Sequence, residues 1–510
     1  MMEKRPHPCR PNAGRLPFPE FKEGRRTRDK AGEACLSPTW YCAPLILLII
    51  LLLPGLSLQA QDAQSTPEAS SGTASPFGVV EGFWLPDQVC SLHAGWERII
   101  FDWSQIQPNS PDDWNTLNVD ERWLKAAQAC NREVVALVTH TPAWATDDTA
   151  MIGVPRGLTL PIDDPKNLWA NFMRKAAAYY APFGVKRFII WNEPDIDPGT
   201  YGYEFGGTVQ DYAQLVRVSY LAAKQGNPEA IIHLAGTTYW HDVNQHRRLY
   251  DDRLLEALAA LPDASANGDF FDVLTLHIYF RADTVYSITH EMRDLLDKYG
   301  LKDKHIWIDE TNASPNLDPQ WPVTRPMWQI TLDQQGAYLA QTAALGLAAG
   351  ADHIGVYKFY DWALPAGAES FGLIRADQSH RPAFDTWAMV IAQMKDVQSA
   401  QLAQTATADV VRLRRADGQD VWVAWARTAA ATQIQIAAVG NQAQFIDQYG
   451  KIMTMRPLNN SYTLALPGAT CNSVDGCPVG GLVSLLVQAD AELVNVGEIS
   501  AAGIAPLVFE

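Results

Sequence analysis

From about residue 76 onward, the chain alternates short apolar runs with longer helical stretches. The runs fall at 77–80, 99–101, 134–138, 188–191, 231–235, 273–276, 306–308 and 354–357. Runs of that length suit buried strands, and the stretches between them carry helix punctuation. Thr208-Val-Gln-Asp211 resembles a capping box with Asp in the place of Glu, and Gly226-Asn227-Pro228 stops the same segment. Asp164-Pro165 offers an N-cap and a first-turn proline for another helix, which Gly184 closes. Strand and helix in alternation predict a parallel sheet, and eight strands predict its closure into a (β/α)8 TIM barrel over residues 77–395. Only about twenty residues separate the first two runs, so the first helix is expected to be short or irregular. After Met394 the helical signal fades. Runs at 410–413, 421–425, 434–439, 445–446, 462–466 and 482–487, with turns at Asp417-Gly418 and Tyr449-Gly450, predict a small C-terminal β-sandwich over 396–510.

The N-terminal region follows other rules. Residues 1–60 combine a basic tail, with Arg25, Arg26, Arg28 and Lys30 close together, and an apolar stretch within 43–58 that ends in small residues before Ala60. That pattern matches a secretory signal, and its apolar core is short against the roughly 20 residues of a membrane span. Residues 61–76 form a flexible Ser-, Thr-, Gln- and Pro-rich linker. The body is therefore expected to be extracellular or at the cell surface, anchored in the membrane through 43–58 if the signal is retained.

Charge and cysteine use narrow the classes. The net charge is −17, and residues 1–42 carry nine Lys/Arg against five Asp/Glu. That tail is +4, so the remainder stands at −21. An acidic body without a basic stripe excludes nucleic acid as the expected partner. Cys471 and Cys477 flank a loop short enough for a disulfide, and Cys90 and Cys130 can pair if the fold brings them together. No CxxC or HExxH spacing occurs, so neither a metal nor a cofactor is expected. The 17 Trp suit both core packing and stacking on sugar rings.

In a barrel of this kind, chemistry sits where strands end. The fourth run ends in Trp191-Asn192-Glu193-Pro194 and the seventh in Trp307-Ile308-Asp309-Glu310-Thr311-Asn312. Each sets a glutamate at the rim, on strands far enough round the barrel to face each other. Two such carboxyls suit glycosidic bond cleavage, in which one protonates the leaving oxygen and the other attacks the anomeric carbon or activates water. Their surroundings must differ, so that one is neutral while the other is ionised. Asn192 can donate to a sugar hydroxyl beside Glu193. Asn312-Ala-Ser314 matches a glycosylation sequon, but it follows Glu310 so closely that we read the match as chance.

These strand ends resemble glycoside hydrolase clan A, the barrel enzymes with glutamates on strands four and seven. The resemblance spans about residues 77–395. It implies Glu193 as acid/base and Glu310 as nucleophile of a retaining hydrolase acting on O-glycosidic bonds of a poly- or oligosaccharide. It also implies that Arg98, in Ala94-Gly-Trp-Glu-Arg98, supports the nucleophile, and that Tyr279, in His277-Ile-Tyr279, hydrogen-bonds it. Thr139-His140-Thr-Pro142-Ala-Trp144 looks like the third strand of the clan. Tyr357-Lys-Phe-Tyr360-Asp-Trp362 looks like its eighth, an aromatic platform beneath the sugar. Substrate-binding candidates are thus Asn192, Arg98, His140, Trp144, His277, Tyr279, Tyr360 and Trp362. Among families, the Thr-Pro-Ala-Trp and Asn-Glu-Pro-Asp segments and the trailing sandwich look most like family 39, which includes β-xylosidases. A retaining enzyme requires the two carboxyls about 5–5.5 Å apart, against ~6.5–9.5 Å for an inverting one. The alternatives are a transglycosylase with the same first step, and a non-catalytic cell-surface carbohydrate-binding protein on a degenerate barrel.

Overall fold

The computed structural model describes residues 75–324, 326, 328–472, 476–489, 497–500 and 503–506. The expected basic tail, signal or anchor, and nearly all of the linker lie outside the described residues.

Eight parallel strands close on one another: β1 (Phe77–Val80), β2 (Trp96–Asp102), β3 (Glu133–Thr139), β4 (Arg187–Ile190), β5 (Ile231–Leu234), β6 (Val273–Tyr279), β7 (His305–Asn312) and β8 (His353–Val356). Each pairs with the next, and β1 pairs with β8. This is the predicted barrel: each of the eight apolar runs falls on one of its strands, and three of them run one residue past the strand's end. As expected, the first connection is irregular, with a 3-10 turn at Gly82–Trp84 and a six-residue helix at Pro86–Ser91. Thr208 caps the helix Val209–Gly226 in a full capping box with Asp211. One start differs from expectation. The helix after β3 begins at Leu168, capped by Asn167 whose side chain accepts from Ala170 N, so Asp164-Pro165 belongs to the preceding turn. Asn167 is fully buried, where its carbonyl can satisfy a helical N–H that water cannot reach.

The barrel interior is filled rather than open. Trp96, Val135, Leu137, Ile189, Val273 and Trp307 pack together inside it, and the indoles of Trp96 and Trp307 lie 5.1 Å apart. Trp96 fits because the inward positions beside it are glycines. A Cβ on Gly78 would come within 2.2 Å of the indole, and one on Gly355 within 2.3 Å.

Beyond the helix Pro382–Gln393 the chain builds two antiparallel sheets. Their strands are β9 (Val397–Gln404), β10 (Ala408–Arg415), β11 (Gln419–Ala426), β12 (Thr432–Ala437), β13 (Ala443–Asp447), β14 (Ile452–Met455), β15 (Ser461–Leu466), β16 (Ser484–Ala489), β17 (Gly497–Ser500) and β18 (Gly503–Pro506). One sheet runs β14-β13-β16-β11-β10-β9 and the other β15-β12-β17-β18. The larger sheet packs on the barrel, for Leu402, Val411, Leu413, Val421, Val423 and Leu485 join the barrel core. The helix Leu332–Ala348 is caught between the two, with every residue from Gln334 to Gly346 buried. Polar ties seal the joint. Gln341 Nε2 donates to Gly481 O at 2.9 Å, Gly480 N donates back to Gln341 Oε1 at 3.0 Å, and Tyr449 OH donates to Asp333 Oδ1 at 2.6 Å. Two disulfides are formed, Cys90–Cys130 and Cys471–Cys477.

A chain truncated after residue 395 is expected to be unstable. Each large apolar side chain stripped of cover costs about 1.5–3 kcal/mol. Loss of soluble yield and binding of a hydrophobic dye are the expected readouts. A soluble barrel with an unchanged urea midpoint would show that the sandwich does not support it.

Candidate active site

The mouth of the barrel is organised by an irregularity in β7. Along β6 and β7, Leu276 pairs with Ile308 but His277 pairs with Glu310, which leaves Asp309 as an extra residue. The β7–β8 ladder skips at the same place. Successive side chains of a regular strand point to opposite faces, and a bulge re-aims them. Asp309 and Glu310 therefore both reach the guanidinium that β2 sends into the barrel. Arg98 Nη1 donates to Asp309 Oδ2 at 3.0 Å, and its Nη2 donates to Glu310 Oε1. Arg98 is 3% exposed.

From β6, His277 and Tyr279 share the inward face. Tyr279 OH donates to Glu310 Oε2. His277 Nδ1 lies 2.8 Å from Glu193 Oε1 and 3.6 Å from Glu310 Oε2, and its Nε2 lies 3.4 Å from Asp309 Oδ1. The imidazole has this position because Gly236 lacks a side chain: a Cβ there would come within 2.2 Å of the ring. Glu193 follows β4 in a tight turn, with Trp191 (φ 71) and Glu193 (φ 40) both in the left-handed region. Strained residues of this kind collect at functional sites. Glu193 N donates to Gly236 O at 3.2 Å, and Trp191 Nε1 donates to Glu204 O at 2.9 Å. A carboxyl oxygen of Glu193 and one of Glu310 lie within 4.8 Å of each other.

The electrostatics follow from burial set against close charges. Burial opposes charge on His277, but Glu310 and Asp309 outweigh it and raise the ring well above the usual histidine range. Burial likewise opposes the Arg98 cation, and Glu310 and Asp309 again prevail. For Asp309, burial alone would raise the acid, yet His277 and Arg98 hold it below the usual carboxylate range. Burial and the charge of Glu310 push Tyr279 upward, so it remains a phenol able to donate. Two cations, Arg98 and His277, thus face the three carboxyl groups of Glu193, Asp309 and Glu310.

Glu193, His277 and Glu310 could each turn one atom toward a metal ion, but the chemistry of the set opposes it. Both Glu310 oxygens already accept hydrogen bonds, from Arg98 and from Tyr279. A divalent cation there would also have to displace Arg98 from Glu310 Oε1 and lie against its guanidinium.

The cluster opens into a cavity of about 840 Å³, lined among others by Asn192, Glu193, Tyr279, Glu310, Tyr357 and Lys358. Asn192 Nδ2 donates to Glu204 Oε2 at 3.2 Å. Burial raises the Glu204 carboxyl despite nearby His140. The remaining candidates sit elsewhere. His140 Nδ1 is 2.9 Å from Asp102 Oδ2 at the rim. Trp144 is tied by its Nε1 to Gln107 O at 2.7 Å and packs edge-on against Trp103. Tyr360 does not line the cavity; it is buried and donates to Ala376 O at 3.1 Å. The aromatic ring that β8 gives the cavity is Tyr357, three residues earlier, held by Asn312 Nδ2 donating to Tyr357 O at 2.7 Å. Trp362 borders a neighbouring cavity instead, stacked on Trp84 at 4.4 Å. Sequence reasoning missed Asp309, Glu204, Tyr357 and Lys358. Asp309 carried a signal in its place beside Glu310, and Tyr357 and Lys358 in opening the segment expected to supply the aromatic platform.

The fold has known counterparts. A family 39 glycoside hydrolase from Bacteroides cellulosilyticus superposes with a TM-score of 0.61 at 16% identity over 81% of each chain. A family 30 endoxylanase from Clostridium papyrosolvens gives 0.55 at 12% identity, covering 82% of this chain and 97% of that one. A monomeric β-xylosidase from Caulobacter crescentus gives 0.52 at 13% identity, covering 82% and 97%. At these identities the likeness establishes the shared architecture. No protein-family model matches the chain, and no curated protein matches it in sequence.

Two outcomes are expected. Nitrogen-15 spectra should show His277 doubly protonated at pH 7.5; a neutral ring at that pH would contradict the charge arrangement. Its folded pKa is raised, so the stability it contributes is full below the unfolded value of about 6.5 and is lost as pH climbs through the folded value. Second, Gly236→Ala should displace the imidazole and lower the stability by about 1–3 kcal/mol through overpacking. Denaturant unfolding reads that change.

Proposed function

We propose that the protein is an exported retaining glycoside hydrolase that cleaves O-glycosidic bonds of a poly- or oligosaccharide by double displacement. The observation that carries the reading is the pair Glu193 and Glu310, with carboxyl oxygens within 4.8 Å across the barrel mouth and unlike surroundings. An inverting enzyme needs room for a water between its carboxyls, a separation of ~6.5–9.5 Å.

In the first step a Glu310 oxygen attacks the anomeric carbon while Glu193 gives its proton to the departing glycosidic oxygen. The C–O bond breaks with its electron pair on the leaving group, and a glycosyl ester forms on Glu310. In the second step Glu193, now a carboxylate, takes a proton from water, whose oxygen attacks the same carbon and frees Glu310. Arg98 and Tyr279 bond opposite oxygens of Glu310, which aims the carboxylate for attack. His277, within 2.8 Å of Glu193 and 3.6 Å of Glu310, offers a fixed cation beside both as negative charge moves from one to the other. Asn192 is available to bond a hydroxyl of the bound sugar. The disulfides Cys90–Cys130 and Cys471–Cys477 support an oxidising, extracellular or cell-surface setting.

Incubation with 2-fluoro-glycoside inactivators of several sugar types should label Glu310, mapped by peptide mass spectrometry. Glu193→Ala should lower kcat about 10²–10⁴-fold on glycosides with poor leaving groups, far less on activated aryl glycosides, with azide restoring turnover as a glycosyl azide. Absence of both labelling and hydrolysis would replace the enzyme reading with that of a carbohydrate-binding protein.

A further inference from the structure

A second cavity, of about 540 Å³, lies beside the first, and Lys358 lines both. Each falls within the range of about 300–1,000 Å³ that holds a small ligand. The second cavity includes neither glutamate. It is built from the ends of β1, β2 and β8; in a barrel closed in sequence order β8 lies directly across from β4, the strand that leads to Glu193, and β1 stands next to β8. Across the boundary, Lys358 Nζ reaches Glu81 Oε2 at 3.3 Å.

Its walls combine two kinds of surface. On one side Phe83, Trp84, Trp123 and Trp362 pack ring against ring, with centroids 4.2–5.8 Å apart along the cluster. Trp362 is left 52% exposed, and Ile100 on the cavity floor 38%. On the other side are Gln105 and Asn118. Asn118 Oδ1 accepts from Asp102 N at 3.2 Å, which leaves its amide N–H groups to serve a ligand. Apolar ring faces set beside amide groups match a pyranose, which has C–H faces and a hydroxyl edge. Glu81 is paired with Lys358 at 3.3 Å, and Asp102 Oδ2 lies 2.9 Å from His140 Nδ1. A uronic acid would find Lys358, the cation that lines this cavity, already held by Glu81.

We propose that the cleft continues over the Lys358–Glu81 ion pair into this second cavity, which binds the next neutral sugar of the chain on the glycone side. The protein then acts on oligomers and polymers and cuts at least a disaccharide from the non-reducing end. The substrate assignment rests on the hydrolase reading above; the binding groove stands without it.

The test uses the full chain and its Glu310→Gln variant with neutral xylo-, cello- and manno-oligosaccharides of two to five units. Calorimetric titration of Glu310→Gln should show one series whose affinity rises about tenfold from two to four units, a gain that Trp362→Ala reduces to near parity. Trp362 is half exposed, so its loss leaves the core intact, and the exposed Gln105→Ala provides an independent variant expected to shrink the same ratio. With active protein and a reducing-end-labelled hexasaccharide, the shortest unlabelled product should be a disaccharide. Affinity flat with length, or a length gain that neither substitution diminishes, overturns the groove, as does failure of every series to bind. Release of single sugars alone overturns it while leaving the hydrolase reading intact. Length-dependent, Trp362-sensitive binding without any hydrolysis supports the groove and sinks the hydrolase.

Discussion

Everything at the barrel mouth depends on a buried guanidinium holding two adjacent carboxylates. Taking Arg98 out of water costs several kcal/mol unless opposite charges meet it at hydrogen-bond distance. Here Asp309 and Glu310 both do so. A regular strand could not present both, since neighbours on it face opposite ways. The extra residue in β7 is the covalent device that makes the ion cluster feasible, and the cluster in turn gives the bulge a reason to persist. His277 completes the balance from β6, in space that Gly236 leaves open.

Below this layer the barrel is built for rigidity. Trp96 and Trp307 fill the interior where Gly78 and Gly355 make room, and the sandwich covers the helix Leu332–Ala348 from outside. A second buried arginine repeats the logic of Arg98 in the segment after β8. Arg381 donates to Asp318 Oδ2 at 2.9 Å and Asp361 Oδ2 at 2.6 Å, and Asp361 Oδ1 accepts from Gly372 N at 2.8 Å. The loop that carries Trp362 is thereby fastened to the barrel wall by charge-assisted bonds with both partners out of water, which are strong and geometrically exacting. Stability therefore lies in the lower layers and loop anchors, and reactivity in the upper one, the usual division in such barrels.

This layering explains what the sequence disclosed. The barrel was legible because strands buried on both faces must be short unbroken apolar runs, and because polar residues directly after such runs have few places to go but the mouth. Glu193, Glu310, His277 and Tyr279 come together for that reason, and Arg98, which precedes its run, reaches them from within β2. Asp309 was not legible as a partner of Arg98, because alternation sends it to the other face and a bulge has no local sequence mark. Tyr360 misled for the converse reason: β8 ends at Val356, and the chain then turns, so counting along an aromatic-rich segment cannot tell which ring faces the cleft. β9, with the sequence VQSAQLAQ and half of its positions exposed, is an edge strand whose pattern carries little apolar signal. The second cavity was invisible because its walls come from four separate stretches of chain.

The two glutamates differ in how tightly they are held, and that difference matches the division of labour proposed for them. Glu310 has donors on both oxygens and a side chain 9% exposed. Glu193 has one imidazole contact and a side chain 21% exposed. A nucleophile gains from being fixed, since attack requires one oxygen on line with the anomeric carbon and any swing of the carboxylate loses alignment. An acid/base gains from access, because it must pass a proton to the leaving group and then receive one from water arriving by the same route. Exchanging the two environments would leave a mobile nucleophile and an acid whose oxygens were already occupied by donors. Arg98 thus does more than neutralise a buried charge: by binding Glu310 and not Glu193, it fixes the carboxylate to which the proposed mechanism gives the attack.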